Sequence, residues 1–142
     1  MNKYAITLAK TCLGCKKPSC QTGCPVGTPI AEMIRLFLAG DIKKAGKMLF
    51  ENNPLSAICS LVCPHEKQCE GSCILNRKSK GVEFGKIENE ISNCYIDNVD
   101  FAIHKLNDRK SRVAIIGGGP AGIAIAFILA FKGYDITIYE SH

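Results

Sequence analysis

Apolar positions recur at helical spacing through the first third of the chain. Ile30, Met33, Ile34, Phe37 and Leu38 fall on one face of a helix that Thr28 can cap, with Pro29 at its first position and Gly40 at its end. Asp41 can cap the next helix, whose stripe of Ile42, Ala45, Met48 and Leu49 runs to the breaker Asn52, Asn53, Pro54. A further helix is predicted from about Phe84 to Asn98, with Ile87, Ile91, Cys94 and Tyr95 on its inner side. No strand signal precedes Val113.

The pattern then changes. Residues 113–131 carry no charge, a length that would make a membrane-spanning helix a candidate, but Gly117, Gly118, Gly119 and Pro120 cut the run in two. What remains is a β-branched strand over 113–116, an Ala/Ile/Leu-rich helix over about 120–132 stopped by Gly133, and a second strand over 136–139. This is the opening βαβ unit of an α/β fold. The polar run 107–112 separates the two regimes, so the expected domains are residues 1–109 and 110–142.

Composition sharpens this picture. The chain has 142 residues, no tryptophan and six phenylalanines, so a core must be aliphatic or organised around something other than side chains; nine cysteines point to the second. Residues 1–10 contain no apolar stretch of the kind that directs secretion, and the odd cysteine count argues against a fully paired disulfide framework. A cytoplasmic location with cysteines as metal ligands is expected. The net charge of +5 is spread along the chain, which argues against a nucleic-acid or membrane-surface partner. His65, His104 and His142 sit in no motif and read as surface or packing residues.

Cys12, Cys15, Cys20 and Cys24 form C-x2-C-x4-C-x3-C-P, and Cys59, Cys63, Cys69 and Cys73 form C-x3-C-P-x4-C-x3-C. A cubane iron–sulfur cluster needs four converging ligands, and the tight turn of a Cys-x2-Cys pair brings two sulfurs to one side of a loop. Cys69 and Cys73, if helical, stand one above the other. In two-cluster ferredoxins the cysteine followed by proline ligates the other cluster, so Cys24–Pro25 and Cys63–Pro64 predict that ligands interleave between the two halves. Structural zinc in a non-redox interaction module is the alternative. Cys94, on an apolar stripe, reads as a buried free cysteine.

Gly117-x-Gly119-x-x-Gly122 follows a predicted strand and, with Pro120 and Ala121, opens a predicted helix. Gly117 permits the turn, Gly119 lets a pyrophosphate approach the backbone, and Gly122 allows helix and strand to touch. Glu140, at the end of the second strand, fits the acid that accepts ribose hydroxyls.

The runs Cys12-Leu-Gly-Cys15, Ser19-Cys20-Gln-Thr-Gly-Cys24-Pro25, Val62-Cys63-Pro64, Gln68-Cys69-Glu-Gly-Ser-Cys73 and Val82-Glu-Phe-Gly-Lys-Ile-Glu88 resemble the N-terminal iron–sulfur domain of the glutamate synthase small subunit, a domain also found in dihydropyrimidine dehydrogenase and related flavoproteins. The resemblance covers essentially the whole chain. It implies a mainly α-helical ferredoxin-like domain holding two [4Fe–4S] clusters, one on Cys12, Cys15, Cys20 and Cys73, the other on Cys24, Cys63, Cys69 and Glu88, with Cys59 a non-ligand. It also implies a Rossmann-like FAD fold begun at Val113, NADPH bound further on, and electrons passed to or from a catalytic partner subunit or domain; a homo-oligomer is compatible with it. The sequence stops two residues after Glu140, so the expectation is a fragment whose FAD site is incomplete, whose NADPH site is absent and which is inactive alone.

Overall fold

A computed structural model describes residues 2–98 and 111–141. The chain divides into two compact units, residues 1–99 and 100–142. Residues 107–110 of the expected connector, and with them the expected boundary, lie outside the described residues, as do His104 and His142.

The first unit is helical: α1 (Lys3–Ala9), α2 (Ser19–Thr22), α3 (Ile30–Leu38), α4 (Ile42–Asn52), α5 (Ser56–Val62) and α6 (Phe84–Asn98), with 3-10 turns at His65–Lys67 and Ile74–Arg77. Helix α6 is the hub, packing against α1, α3, α4 and α5. The stripes read from the sequence meet here: Ile30, Met33, Ile34, Phe37, Ala45, Leu49, Ile87 and Ile91 are all buried. Asp41 caps α4 as expected, its carboxylate accepting from the Lys44 N–H at 3.1 Å. Cys94 and Tyr95 are only half-buried on α6, at the margin of the inner stripe.

Three features depart from the sequence reading. Thr28 does not cap α3, which begins after Pro29; its buried hydroxyl instead accepts from the Cys24 thiol at 3.3 Å and the Asn52 amide at 3.4 Å. Helix α1 has no periodic signal because its inward residues are Ala5 and Ala9, with the Asn2 side chain capping the Tyr4 N–H at 2.9 Å. Helix α5 is amphipathic in reverse. Ser56 and Ser60 face α6, where Ser92 donates to Ser56 at 3.0 Å and Asn89 to Ser60 at 2.9 Å, while Ile58, Leu61 and Val62 are exposed.

In the second unit β1 (Arg112–Ile116) and β2 (Asp135–Tyr139) pair in parallel, Val113 opposite Ile136 and Ile115 opposite Ile138, with α7 (Pro120–Phe131) as the crossover. Parallel neighbours need such a crossover, and the β-branched strands and alanine-rich helix supply it. Gly133 takes φ of 86° at the helix stop. No residue of α7 is fully buried, and Ile123, Ile125, Ile128 and Phe131 are exposed within the unit. Among the described residues no helix is long and apolar enough to cross a membrane.

Candidate functional site

The cysteines lie on the loops and helix ends around the hydrophobic core. Cys12 follows α1, its N–H donating to Ala9 at 3.1 Å; Gly14, at φ of 60°, makes the turn to Cys15; Cys20 sits on α2. Cys73 precedes the second 3-10 turn, far away in sequence. Yet the Cys20 thiol, pushed up to about 11, owes this first to burial and next to Cys73, with Cys12 and Cys15 adding to it, while the Gln21 backbone N–H pulls the other way. Four thiols from both sequence motifs thus share one neighbourhood.

A second neighbourhood gathers Cys24, Cys63, Cys69 and Glu88. Cys63 follows the last turn of α5, and its thiol is pushed up to about 11 by burial, then by Cys59, with Glu88 and Cys24 contributing. The buried Cys69 thiol is pushed up to about 12 by burial first, then by Cys24 and Glu70, with Glu88 acting in the same direction. Glu88 projects from the core face of α6, and burial raises its carboxyl to about 7. Desolvation and crowding of like charges both penalise free anions here, and a bound cationic centre reverses both terms. Among the described residues no three such side chains are placed to hold a single metal ion; the chemistry of these donors, three thiols and a carboxylate, is that of ligands to a larger anion-bound metal group.

Cys69 and Cys73 do not share a helix. They lie in turns that fold around the His65 carbonyl, which accepts from the N–H groups of Gln68 at 3.1 Å, Glu70 at 3.0 Å and Gly71 at 3.2 Å. A side chain at Gly71 would collide with the Glu66 carbonyl, so glycine lets this turn close. Cys59 lies beside Cys63 and accepts from the Asn53 amide at 3.2 Å. The Cys94 thiol donates to Glu90 at 3.6 Å.

His65 is the residue whose place the sequence did not reveal. Its side chain is 13% exposed, not superficial, and its Nε2 stands 3.7 Å from Glu88 Oε2. The signal available in the sequence was only its position two residues after Cys63.

The glycine turn of the second unit takes the form that its spacing predicts. Gly117 has φ of 102° and its N–H donates to Tyr139 at 2.8 Å; Gly119 caps α7 and Pro120 begins it, followed by Ala121. A Cβ at Gly122 would collide with the Gly117 carbonyl, so only glycine lets α7 start this close to β1. Glu140 reaches the same turn from the end of β2, accepting from the Gly118 N–H at 2.5 Å. The turn, the helix N-terminus and the acid are thus adjacent, an arrangement that favours a pyrophosphate with a ribose beside it.

Residues 1–99 match the family described as dihydropyrimidine dehydrogenase domain II, 4Fe-4S cluster. The chain is 34% identical over 136 residues to the NAD-dependent dihydropyrimidine dehydrogenase subunit PreT of Salmonella typhimurium, covering 96% of this chain and 33% of the relative. It is 36% identical over 137 residues to the glutamate synthase [NADPH] small chain of Escherichia coli, covering 94% and 29%, and 34% identical over 138 residues to the putative oxidoreductase UacF of Escherichia coli, covering 92% and 21%. The chain spans about a third or less of the length of these relatives. On the match of residues 1–99, with eight of its nine cysteines in the two motifs, the chain belongs to the 4Fe-4S cluster family of dihydropyrimidine dehydrogenase domain II.

Proposed function

We propose that residues 1–109 form an α-helical ferredoxin-like domain holding two [4Fe–4S] clusters, and that residues 110–142 begin a Rossmann-like fold for FAD. One cluster is assigned to Cys12, Cys15, Cys20 and Cys73, the other to Cys24, Cys63, Cys69 and Glu88. What supports this reading is that, after burial, the group acting most strongly on the Cys20 thiol is Cys73 of the second motif, with Cys12 and Cys15 of the first adding to it. Each set draws on both sequence motifs, as the Cys–Pro dipeptides predict.

When bound, such clusters take up and release single electrons. The chain's own part is to supply anionic ligands, fix their spacing around the core of α3, α4 and α6, and set the polarity at each site. In the second unit Gly117, Gly119, Pro120, Ala121 and Gly122 are assigned to the FAD pyrophosphate and Glu140 to its ribose. The exposed Ile123, Ile125 and Ile128 of α7 match surfaces that further elements of a flavin fold would cover. The relatives' names, an NAD-dependent enzyme's subunit and an NADPH enzyme's small chain, favour a nicotinamide nucleotide as the flavin's redox partner and a catalytic partner subunit or domain beyond the clusters. The whole protein is accordingly read as an NAD(P)H-dependent iron–sulfur flavoprotein oxidoreductase, which this chain serves as an electron-transfer module.

The test is metal and sulfide content with optical spectroscopy on protein purified without oxygen. A brown protein with iron and acid-labile sulfide, broad absorbance near about 400 nm and bleaching by dithionite is expected. A colourless protein with stoichiometric zinc would overturn the reading in favour of a structural module.

A further inference from the structure

His65 combines three observations. Its Nε2 is a buried side-chain nitrogen with no hydrogen-bond partner among the described residues, a state that proteins avoid. The polar group it faces is Glu88 Oε2 at 3.7 Å, too long for a hydrogen bond but within reach of a small rotation of either side chain. Both groups are deep, with side-chain exposures of 13% and 7%.

The imidazole is held where it is from two sides. On its own loop, three N–H groups converge on the His65 carbonyl, fixing the backbone at the start of the segment that carries Cys69. On α6 the ring lies over Gly85, one turn before Glu88; a Cβ at Gly85 would come to 2.7 Å from Cε1 and 2.9 Å from Nε2. Glycine at position 85 thus makes room for this ring. The Gly85 N–H also donates to Glu70 Oε1 at 2.9 Å, so the loop bearing Cys69 and the helix bearing Glu88 are joined beside the imidazole.

We propose that His65 is a positioning residue for Glu88, donating from Nε2 to one carboxylate oxygen so that the other faces the thiols of Cys24, Cys63 and Cys69. The inference rests on the assignment of Glu88 to the second cluster. A thiolate offers one donor atom, whereas a carboxylate offers two and can rotate between them, so a carboxylate ligand alone in its set needs an outer hydrogen bond to select its orientation. Donation from Nε2 serves this purpose whether or not Nδ1 also carries a proton.

The test uses the 142-residue chain loaded with iron and sulfide under anaerobic conditions. In His65→Leu the EPR signature and midpoint potential of one cluster shift and a chelator removes its iron about 10-fold faster, while the other cluster, the internal control for folding, is unmoved. His65→Gln, which keeps an N–H donor, moves both readouts back toward the parent. In a Glu88→Cys background His65→Leu has little effect, since a thiolate needs no such orientation. Unchanged spectra, potentials and release rates in His65→Leu would overturn the role of His65 while leaving the two-cluster reading intact. An equal effect of His65→Leu with and without Glu88→Cys would also overturn it, by showing only loop damage. Loss of one cluster in His65→Gln but not in Glu88→Ala would make the imidazole itself the ligand. A parent chain that takes up no cluster would overturn this inference together with the reading beneath it.

Discussion

Around Cys20 the neighbouring groups are thiols carried on loops and on the four-residue helix α2, whereas around Cys63 and Cys69 they include a carboxylate carried on the second turn of the fifteen-residue helix α6. The first neighbourhood is shaped by turns such as Gly14 and includes the distant Cys73. The second is tied to the core, because Glu88 shares its face of α6 with Ile87 and Ile91. The difference teaches that two sites of similar chemistry can depend on the fold to different degrees. Donors on loops are expected to tolerate core disturbance better than one on the hub helix.

The largest effect expected is loss of a whole cluster. Cys20→Ser and Cys73→Ser should each remove about half of the bound iron and leave the EPR signal of the second site, while Cys24→Ser, Cys63→Ser or Cys69→Ser should spare the first, or convert the second to a smaller cluster. Metal analysis and low-temperature EPR on the loaded chain check this.

A core change should separate the two sites next. Ile87→Ala removes a fully buried side chain beside Glu88 and is expected to cost about 2–5 kcal/mol in denaturant unfolding of the metal-free chain. In the loaded chain it should speed iron release from the second site more than from the first. Equal release from both would show that α6 serves the two sites alike.

A smaller effect is expected where a ligand is exchanged without disturbing packing. Glu88→Ala should shift the potential or lower the occupancy of the second cluster alone, and Glu88→Cys should retain both clusters; redox titration followed by EPR reads both. Smallest of all is Cys59→Ser, which should keep close to the parent iron content despite the closeness of Cys59 to Cys63. Iron loss equal to that of Cys63→Ser would show that the second sequence motif acts as its own quartet.

Much of the helical unit was legible because its stripes are large and aliphatic: Ile30, Met33, Ile34 and Phe37 on α3, Ala45 and Leu49 on α4, and Ile87 and Ile91 on α6 are buried as their spacing predicts. Helices α1 and α5 were not, for opposite reasons. Alanines at positions 5 and 9 bury too little surface to stand out, and α5 turns serines inward to hydrogen-bond α6 while its aliphatic residues face out, so periodicity alone gives no guide. In the glycine turn two of the three spaced glycines have a steric reason, Gly117 through its positive φ and Gly122 through its contact with the Gly117 carbonyl, while a side chain at Gly119 would meet nothing in the chain itself. At the cysteine site the motif spacing does not reveal the turn at Gly71, which closes on His65 and Glu66 a few residues back, and the burial of His65 against Gly85 and Glu88 arises from a tertiary contact that no local pattern encodes.

Interleaving is the claim on which the account stands, and one double variant tests it most directly. Cys20 belongs to the first sequence motif and Cys73 to the second, yet both are assigned to one cluster. The account predicts that Cys20→Ser/Cys73→Ser, loaded with iron and sulfide, keeps about half of the parent iron and one intact cluster signal, no less than either single variant. Loss of both clusters in the double variant, with one lost in each single variant, would mean that each motif binds its own cluster and would contradict the account.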